Sequence, residues 1–343
     1  MTENGKPKLA MYWAAGCGGC EISVLNIHEH ILTVDEVFDL VFFPAIADFK
    51  ISDLEGYPDG FIDVCLFNGA IRNSENEEMA ELLRQKSKIM VAYGSCAYEG
   101  CIPALSNLTS KDATFNAVYL DNPSIDNPDR ILPQISFEVP EGELTLPEFY
   151  HTVKSLDQVV DVDYYLPGCP PESPQVWAVL QVVVAALLEG ALLPPKGSIV
   201  GASNVAVCEE CPLEKQDKSI TRFYRPYEIT PDPTICLLEQ GIVCMGPATR
   251  AGCGALCPQV SMGCRGCYGP LEGVDDQGAK MLSAIASVIG VGNPDMEEDE
   301  LEQEIQAVVD TIPDPAGTFY RFSMAHSLLR RAKVNADRSG ETQ

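Results

Sequence analysis

Lysine and arginine are scarce in this 343-residue sequence, which has 23 of them against 50 aspartates and glutamates. A net charge of −27 denies the chain the counterion release that drives binding to a phosphate backbone. We therefore expect no nucleic-acid partner. Nucleotide-binding signatures are also missing, since neither a Walker loop nor a GxGxxG turn follows the first predicted strand. We expect no bound nucleotide or flavin in this chain.

A hydrophobic run long enough to cross a bilayer is missing as well. The longest apolar stretch, residues 176–193, contains Gln181 and Glu189 and stops at two prolines, so it predicts a buried helix. The first eight residues are mostly polar and have no features of a secretion leader. We expect a cytoplasmic chain without a membrane span.

Cysteine, in contrast, is abundant, with fourteen residues. A chain of this length can build a hydrophobic core without disulfides, and the cytoplasm keeps thiols reduced. The cysteine content therefore favours metal binding.

The first half alternates short apolar segments with helical patterns. Strands are predicted at residues 9–14, 38–43, 62–68 and 89–93, with a weaker one at 163–166, and helices at 20–32, 76–88 and 172–193. Such alternation predicts an α/β fold with a parallel sheet. We place this first domain at residues 1–194.

Residues 195–343 form the predicted second domain, which is small and irregular. Up to residue 270 it is rich in Cys, Pro and Gly, as expected where metals hold the chain together. A few helices are predicted, at residues 277–289 and 300–311. Seven carboxylates within residues 295–304 fit a solvated helix start, and the tail from Arg330 is polar.

Four cysteines of the first half lie just after predicted strands. Because parallel strands end at one edge of a sheet, we expect their thiols to meet there. Adjacent glycines allow positive φ angles and bring backbone N–H groups close to sulfur. A [4Fe-4S] cluster fits this set best. The set consists of Cys17, Cys20, Cys96 and Cys169.

Eight cysteines of the second half have tighter spacings and, by chain order, form two more sets of four. Structural zinc remains an alternative for these, because zinc sites also use paired CxxC motifs. Two cysteines stay outside every set: Cys65 lies in an apolar strand pattern, and Cys101 is interpreted as a spectator. The two sets are Cys208, Cys211, Cys236 and Cys244, followed by Cys253, Cys257, Cys264 and Cys267.

The combined motifs resemble the small, electron-transferring subunit of [NiFe] hydrogenases. They are Cys17-Gly-Gly-Cys20, Gly94-Ser-Cys96, Pro167-Gly-Cys169-Pro-Pro and the cysteine-rich second half. The stretch from Cys236 to Cys267 is most similar to the cytoplasmic, methyl-viologen-reducing type that associates with heterodisulfide reductase. The resemblance covers about residues 8 to 290.

This resemblance implies a flavodoxin-like first domain whose thiol set holds a proximal cluster facing the Ni–Fe centre of a separate large subunit. It assigns the set that begins at Cys253 to a medial cluster and the set that begins at Cys208 to a distal one. Cys208 stands where periplasmic members have a histidine, and Cys257 supplies a fourth thiol that their medial site lacks. We therefore expect three [4Fe-4S] clusters and no nickel in this chain.

Dihydrogen splitting would occur on the partner, so this chain would be an oxidoreductase subunit without catalytic residues of its own. It would pass electrons to an iron–sulfur acceptor that feeds heterodisulfide reductase, and we expect an obligate heterodimer at minimum. Two other functions stay open: a complex-I-like or formate-linked electron-transfer subunit without a Ni–Fe partner, and a zinc-stabilised scaffold.

Overall fold

The structure, a computed structural model, describes residues 5–216, 218–290 and 296–329. The described residues fall into two compact units, one within Met1–Val200 and Met324–Gln343 and the other within Gly201–Ser323. The strands are β1 Lys8–Trp13, β2 Asp39–Phe42, β3 Ile62–Asn68, β4 Ile71–Asn73, β5 Ser87–Tyr93, β6 Ser136–Val139, β7 Gly142–Thr145, β8 Phe149–Lys154, β9 Tyr164–Leu166 and β10 Ser198–Ile199. The helices are α1 Gly19–Leu25, α2 His30–Val37, α3 Ile51–Gly56, α4 Ser74–Lys86, α5 Ser95–Glu99, α6 Lys111–Tyr119, α7 Ser173–Glu189, α8 Leu256–Gln259, α9 Gln277–Ala286, α10 Glu298–Val309 and α11 Pro315–Phe319.

A six-stranded sheet in the order β10-β9-β5-β3-β1-β2 organises the first unit. Every neighbouring pair in it is parallel, which confirms the predicted α/β fold with a parallel sheet. Strand β3 has the predicted limits and is almost wholly buried, as expected for an apolar strand with helices on both faces.

Two hydrophobic clusters fill the faces of this sheet. One contains Val24 of α1 and Val176 of α7, and the other contains Leu54 of α3 and Met79 of α4. Cys65 is fully buried in the second cluster, which confirms its interpretation as a core residue.

The predicted helix over residues 20–32 is wrong, because the chain forms two helices there. Helix α1 ends at Leu25 and α2 begins at His30. His28 between them has a φ of 58°, a left-handed conformation that no right-handed helix can contain. The chain therefore turns between the two helices.

Two antiparallel ribbons lie outside the predicted elements. Strand β4 pairs with β8, and β6 pairs with β7 as a hairpin. Both ribbons are short, and their apolar residues alternate with polar ones instead of forming the continuous runs that mark the buried strands.

The second unit is irregular. Before residue 256 its described residues form only short 3-10 helices, at Val207–Glu209, Leu238–Gln240 and Gly246–Ala248, and its α-helices follow from there. Its loops pack around buried side chains that include Met245, Tyr268 and Met281. The Gln277 amide donates to the carbonyl oxygens of Ala248 at 3.3 Å and Gly266 at 3.1 Å, which ties α9 to those loops.

The predicted acidic helix start is confirmed at α10, whose first turn contains Glu298, Asp299 and Glu300. Residue 295 of the acidic run and the polar tail lie outside the described residues. Within the described ranges, no helix combines the length and apolarity that crossing a membrane requires.

Candidate iron–sulfur sites

The first thiol set lies at the carboxyl edge of the parallel sheet. Cys17 and Cys20 follow β1, Cys96 is in α5 directly after β5, and Cys169 follows β9. The charge of the Cys20 thiolate interacts with those of Cys96, Cys169 and Cys17, so the four thiols are neighbours. The structure brings together the set that the sequence predicted.

Two loops of this site are locked together by hydrogen bonds. The Ser95 N–H donates to the Gly168 carbonyl oxygen at 2.8 Å, and the Ser95 hydroxyl accepts from the Gly168 N–H at 3.2 Å. Gly94 has a φ of 83°, and a Cβ atom there would overlap the Cys20 Sγ atom. Glycine at this position therefore keeps the space into which the thiols project.

Cys101 also belongs to this region, contrary to its interpretation as a spectator. The residue is fully buried, and its Sγ atom lies 3.8 Å from Cys169 Sγ. The hydrogen bond from the Cys101 thiol lowers the pKa of Cys169 to about 7. The only signal in the sequence was its spacing of five residues from Cys96. In the structure, Gly100 has a φ of 81° and turns the chain between the two cysteines.

The polar side chains of Ser23, Tyr93 and Glu21 lie near Cys20. The Ser23 hydroxyl donates to the Cys20 carbonyl oxygen at 2.8 Å and lies 2.7 Å from the Tyr93 hydroxyl. Burial, followed by the neighbouring thiolates and Glu21, raises the pKa of Cys20. A positively charged metal group would offset this penalty and hold the sulfur as thiolate.

The second set lines a cavity of 400 Å³ in the second unit. A Cβ atom on Gly246 would lie 3.2 Å from Cys208 Sγ and 3.5 Å from Cys244 Sγ, so this glycine also leaves room beside the thiols. Burial raises the pKa of Cys244 to about 12. All four predicted members border the cavity: Cys208, Cys211, Cys236 and Cys244.

The third set is brought together in two pairs. Cys253 interacts with Cys257, and Cys264 interacts with Cys267. Cys264 also contacts the second set, since its backbone N–H donates to Cys244 Sγ at 3.2 Å. The second and third sets are therefore linked by a direct hydrogen bond.

All fourteen cysteines are free thiols. Among the residues that the structure describes, no three His, Cys, Asp or Glu side chains converge as the ligands of one metal ion do. The cysteines are instead distributed around each site, partly on loops and partly in short helices, as for Cys20 in α1, Cys96 in α5 and Cys257 in α8. A multi-iron cluster uses this arrangement, because each of its thiolates binds a different iron.

Comparisons with known proteins agree with a thiol-rich redox subunit. Residues 17–183 match the family model described as NADH ubiquinone oxidoreductase, 20 Kd subunit. The iron-sulfur subunit of the F420-non-reducing hydrogenase from Archaeoglobus profundus is 38% identical over 330 residues, which cover 94% of this chain and 98% of that protein. Its counterpart in the F420-non-reducing hydrogenase of Methanothermobacter marburgensis is 38% identical over 327 residues, 94% of this chain and 96% of that protein.

A solved structure shares the fold. The [NiFeSe] hydrogenase of Desulfovibrio vulgaris Hildenborough contains a chain that superposes with a TM-score of 0.50 at 16% identity, over 78% of this chain and 95% of that one. The protein belongs to the family of hydrogenase small subunits, and its relatives include those of F420-non-reducing hydrogenases. It is thus an electron-transferring component of an oxidoreductase, and the catalytic site lies on the large subunit.

Proposed function

We propose that this chain carries electrons singly from dihydrogen oxidation on the large subunit through three [4Fe-4S] clusters. The observation that carries the proposal is the grouping of eight cysteines into two sites, one at the sheet edge and one around a cavity in the second unit. The other four cysteines lie in two pairs in the second unit, and one pair adjoins the cavity site. When bound, the clusters would supply one-electron redox centres, and the cysteines would hold them.

The first set would hold the proximal cluster, within a domain of residues 1–194. Cys17 is exposed, and beside it the Trp13 ring, 45% exposed, packs on the Gly18 backbone. A ligand at the surface suits electron exchange with another chain. This supports assigning Cys17, Cys20, Cys96 and Cys169 to the cluster that receives electrons from the large subunit.

The other two sets would continue the path in the second unit, within Gly201–Ser323. Cys253, Cys257, Cys264 and Cys267 would hold the medial cluster, and Cys208, Cys211, Cys236 and Cys244 the distal one. The hydrogen bond from Cys264 N–H to Cys244 Sγ supports a medial-to-distal step, because it connects a ligand of one set to a ligand of the other.

Backbone and side-chain donors would tune these clusters. An N–H group that donates to a ligand sulfur stabilises the reduced state and raises the reduction potential. The N–H of Cys264 acts in this way on Cys244, and the Cys101 thiol acts on Cys169. We expect no nickel, flavin or nucleotide on this chain.

The acceptor in this proposal is an iron–sulfur protein linked to heterodisulfide reductase, in the cytoplasm. Support comes from the resemblance to the methyl-viologen-reducing type and from the similarity to proteins of two F420-non-reducing hydrogenases. A complex-I-like protein is the second candidate, because the family model over residues 17–183 is described as part of NADH ubiquinone oxidoreductase.

The test is purification of the native complex, with iron, nickel, zinc and acid-labile sulfide quantified and the reduced clusters examined by EPR. We expect about twelve iron and twelve sulfide per chain, four of each per cluster, with nickel on the large subunit. Nickel-free complexes with full iron would favour the complex-I-like candidate. A colourless preparation that contains zinc and no sulfide would overturn the cluster assignment and favour the scaffold.

Single substitutions assign the sets. Cys169→Ser, Cys236→Ser and Cys257→Ser should each remove the EPR signal of a different cluster and about four iron atoms. Cys65→Ala is the matched control, since this buried cysteine lies in the hydrophobic core and should leave the iron content unchanged. Equal iron in all four variants would contradict the assignment.

A further inference from the structure

The hairpin formed by β6 and β7 has one apolar face. Its register places Phe137 opposite Leu144, and the ladder continues with the Leu146 N–H donating to the Ile135 carbonyl oxygen at 2.9 Å. Because side chains alternate along a strand, Ile135 and Phe137 project from the same face as Leu144 and Leu146. The hairpin is therefore an amphipathic ribbon.

The opposite face is polar. It carries two directly opposed pairs, Ser136 with Thr145 and Glu138 with Glu143. The Ser136 hydroxyl also donates to a Glu143 carboxylate oxygen. These side chains suit contact with water, so the ribbon has a defined outer face and a defined inner one.

Nothing within the described part of the first unit buries the apolar face. Ile135 is 56% exposed, Phe137 56%, Leu144 59% and Leu146 53%. A two-stranded hairpin alone in water is only marginally stable, and contiguous exposed apolar patches mark sites of protein association. The pattern of this ribbon is that of a strand pair covered on one side by another protein surface.

The hairpin is joined to the sheet edge that carries the first thiol set. Ala15, two residues before Cys17, bridges to Ala70, and β4 begins at the next residue. Strand β4 pairs with β8, which follows the hairpin after three residues. The hairpin exit is fixed there, because the Ser74 N–H donates to the Glu148 carbonyl oxygen at 3.0 Å. The base of the hairpin is therefore fixed to the ribbon of β4 and β8, which begins next to the bridge beside the first thiol set.

We propose that the apolar face of this hairpin docks onto the hydrogenase large subunit, on an apolar strip of that partner. This inference rests on the proposed function, in which the first thiol set faces the large subunit. Charge argues against a second copy of this chain, since each copy carries −27 and the outer face of the hairpin itself carries two glutamates. The hairpin lengthens the interface beyond the immediate surroundings of the thiols.

The test uses the chain co-expressed with an affinity-tagged large subunit. In Phe137→Lys with Leu144→Lys, two charges occupy the apolar face, and we expect the dissociation constant of the complex to rise about 100-fold, as for other anchors buried in an interface. The control is Ser136→Lys with Thr145→Lys, which puts the same two charges on a directly opposed pair of the outer face. It should bind as the unmodified chain does.

Co-purification at serial dilution and native mass spectrometry give the affinities. If the tagged large subunit retains both double variants equally well, the proposal is overturned. It is also overturned if the substitutions on the apolar face change self-association of this chain but leave its affinity for the large subunit unchanged. If the lysine variant does not accumulate, Phe137→Thr with Leu144→Thr keeps the strand propensity and carries the same expectation. Should the unmodified chain bind no large subunit at all, the proposed function itself would fail.

Discussion

Single glycines decide whether the thiols of a set can approach one another. Gly94 combines a φ of 83° with a position where any Cβ atom would meet Cys20 Sγ. The strand pattern and the Gly-Ser-Cys motif were enough to predict Cys96 at the sheet edge. The contact between Gly94 and Cys20 was not predictable, because it joins loops that are more than seventy residues apart in the sequence.

Gly94→Ala should cost the chain its first cluster. The added methyl group would displace Cys20 Sγ, and the left-handed backbone would be strained as well. We expect the iron content of the purified complex to fall by about four atoms, one cluster. Gly56→Ala is the control, since a Cβ there has no atom within 4 Å. Full iron in Gly94→Ala would show that the loop can move aside.

The position of the Cys101 thiol near Cys169 could not be predicted from the sequence. Its approach to Cys169 depends on two successive residues with positive φ, Gly100 at 81° and Cys101 at 47°. Glycine makes the first of these easy, but nothing in the sequence indicates that a cysteine takes the second. The thiol of Cys101, five residues after Cys96, could therefore be noticed in the sequence but not placed in the structure.

At the scale of elements, the long strands of the parallel sheet were predictable and the short antiparallel ribbons were not. Continuous apolar runs identified β3 and β5, because a strand covered on both faces has no polar side. The hairpin has a single apolar face, and its residues within 135–146 give a shorter and weaker pattern. Tertiary context alone decides that this segment forms a ribbon.

Asp163 ties several elements of the first unit together. Its carboxylate accepts from Arg84 of α4 at 2.7 Å and from the Met90 N–H of β5 at 2.8 Å, and it pairs with Lys196 at 2.5 Å. Burial alone would raise the pKa of Asp163, but these partners outweigh burial and lower it. The negative charge therefore stabilises the fold.

Asp163→Asn should destabilise the complex by about 2 kcal/mol at pH 7, less than for a fully buried pair because Lys196 is largely exposed. The melting temperature should fall by about 5 °C in scanning fluorimetry. The pKa of this carboxyl group is lower in the folded state than in the unfolded state, where it is near 4. The charge therefore stabilises the fold fully above about pH 4, and this stabilisation is lost as the pH falls through the folded-state pKa. The difference from the unmodified chain should thus shrink below about pH 4.

Asp161→Asn is the control, because this neighbouring carboxylate is exposed. Its melting temperature should equal that of the unmodified chain both at pH 7 and below about pH 4. If the melting temperature of Asp163→Asn stays equally far below that of the unmodified chain in acid, then lost packing, and not lost charge, is responsible.

At the scale of the whole molecule, the first unit includes a segment from near the end of the sequence. Ala325 is fully buried, and its carbonyl oxygen accepts from the Gln158 amide at 3.0 Å. The His326 ring lies 2.7 Å from the Ser155 hydroxyl and 6.4 Å from the ring of Tyr98, two residues after Cys96. The last described segment therefore supports the helix that carries a thiol of the first set.

Removal of residues 324–343 should weaken the first thiol set. Tyr98 would lose a packing partner and Gly100 its neighbour Ala325, so we expect a lower melting temperature and reduced occupancy of the first cluster by EPR. Removal of residues 330–343 alone is the comparison, because it leaves the contacts of Ala325 and His326 in place. Identical spectra for the two truncations would contradict this supporting role.

The return of residues 324–329 to the first unit has a consequence for biosynthesis. A ribosome releases a chain from its N-terminus, and a domain made of contiguous residues can fold while the rest is still being translated. Here, more than 120 residues of the second unit must emerge before Ala325 and His326 can reach their places. The newly made protein therefore spends that interval with its first unit incomplete, and Tyr98 gains its contact with the His326 ring only after residue 326 has been released.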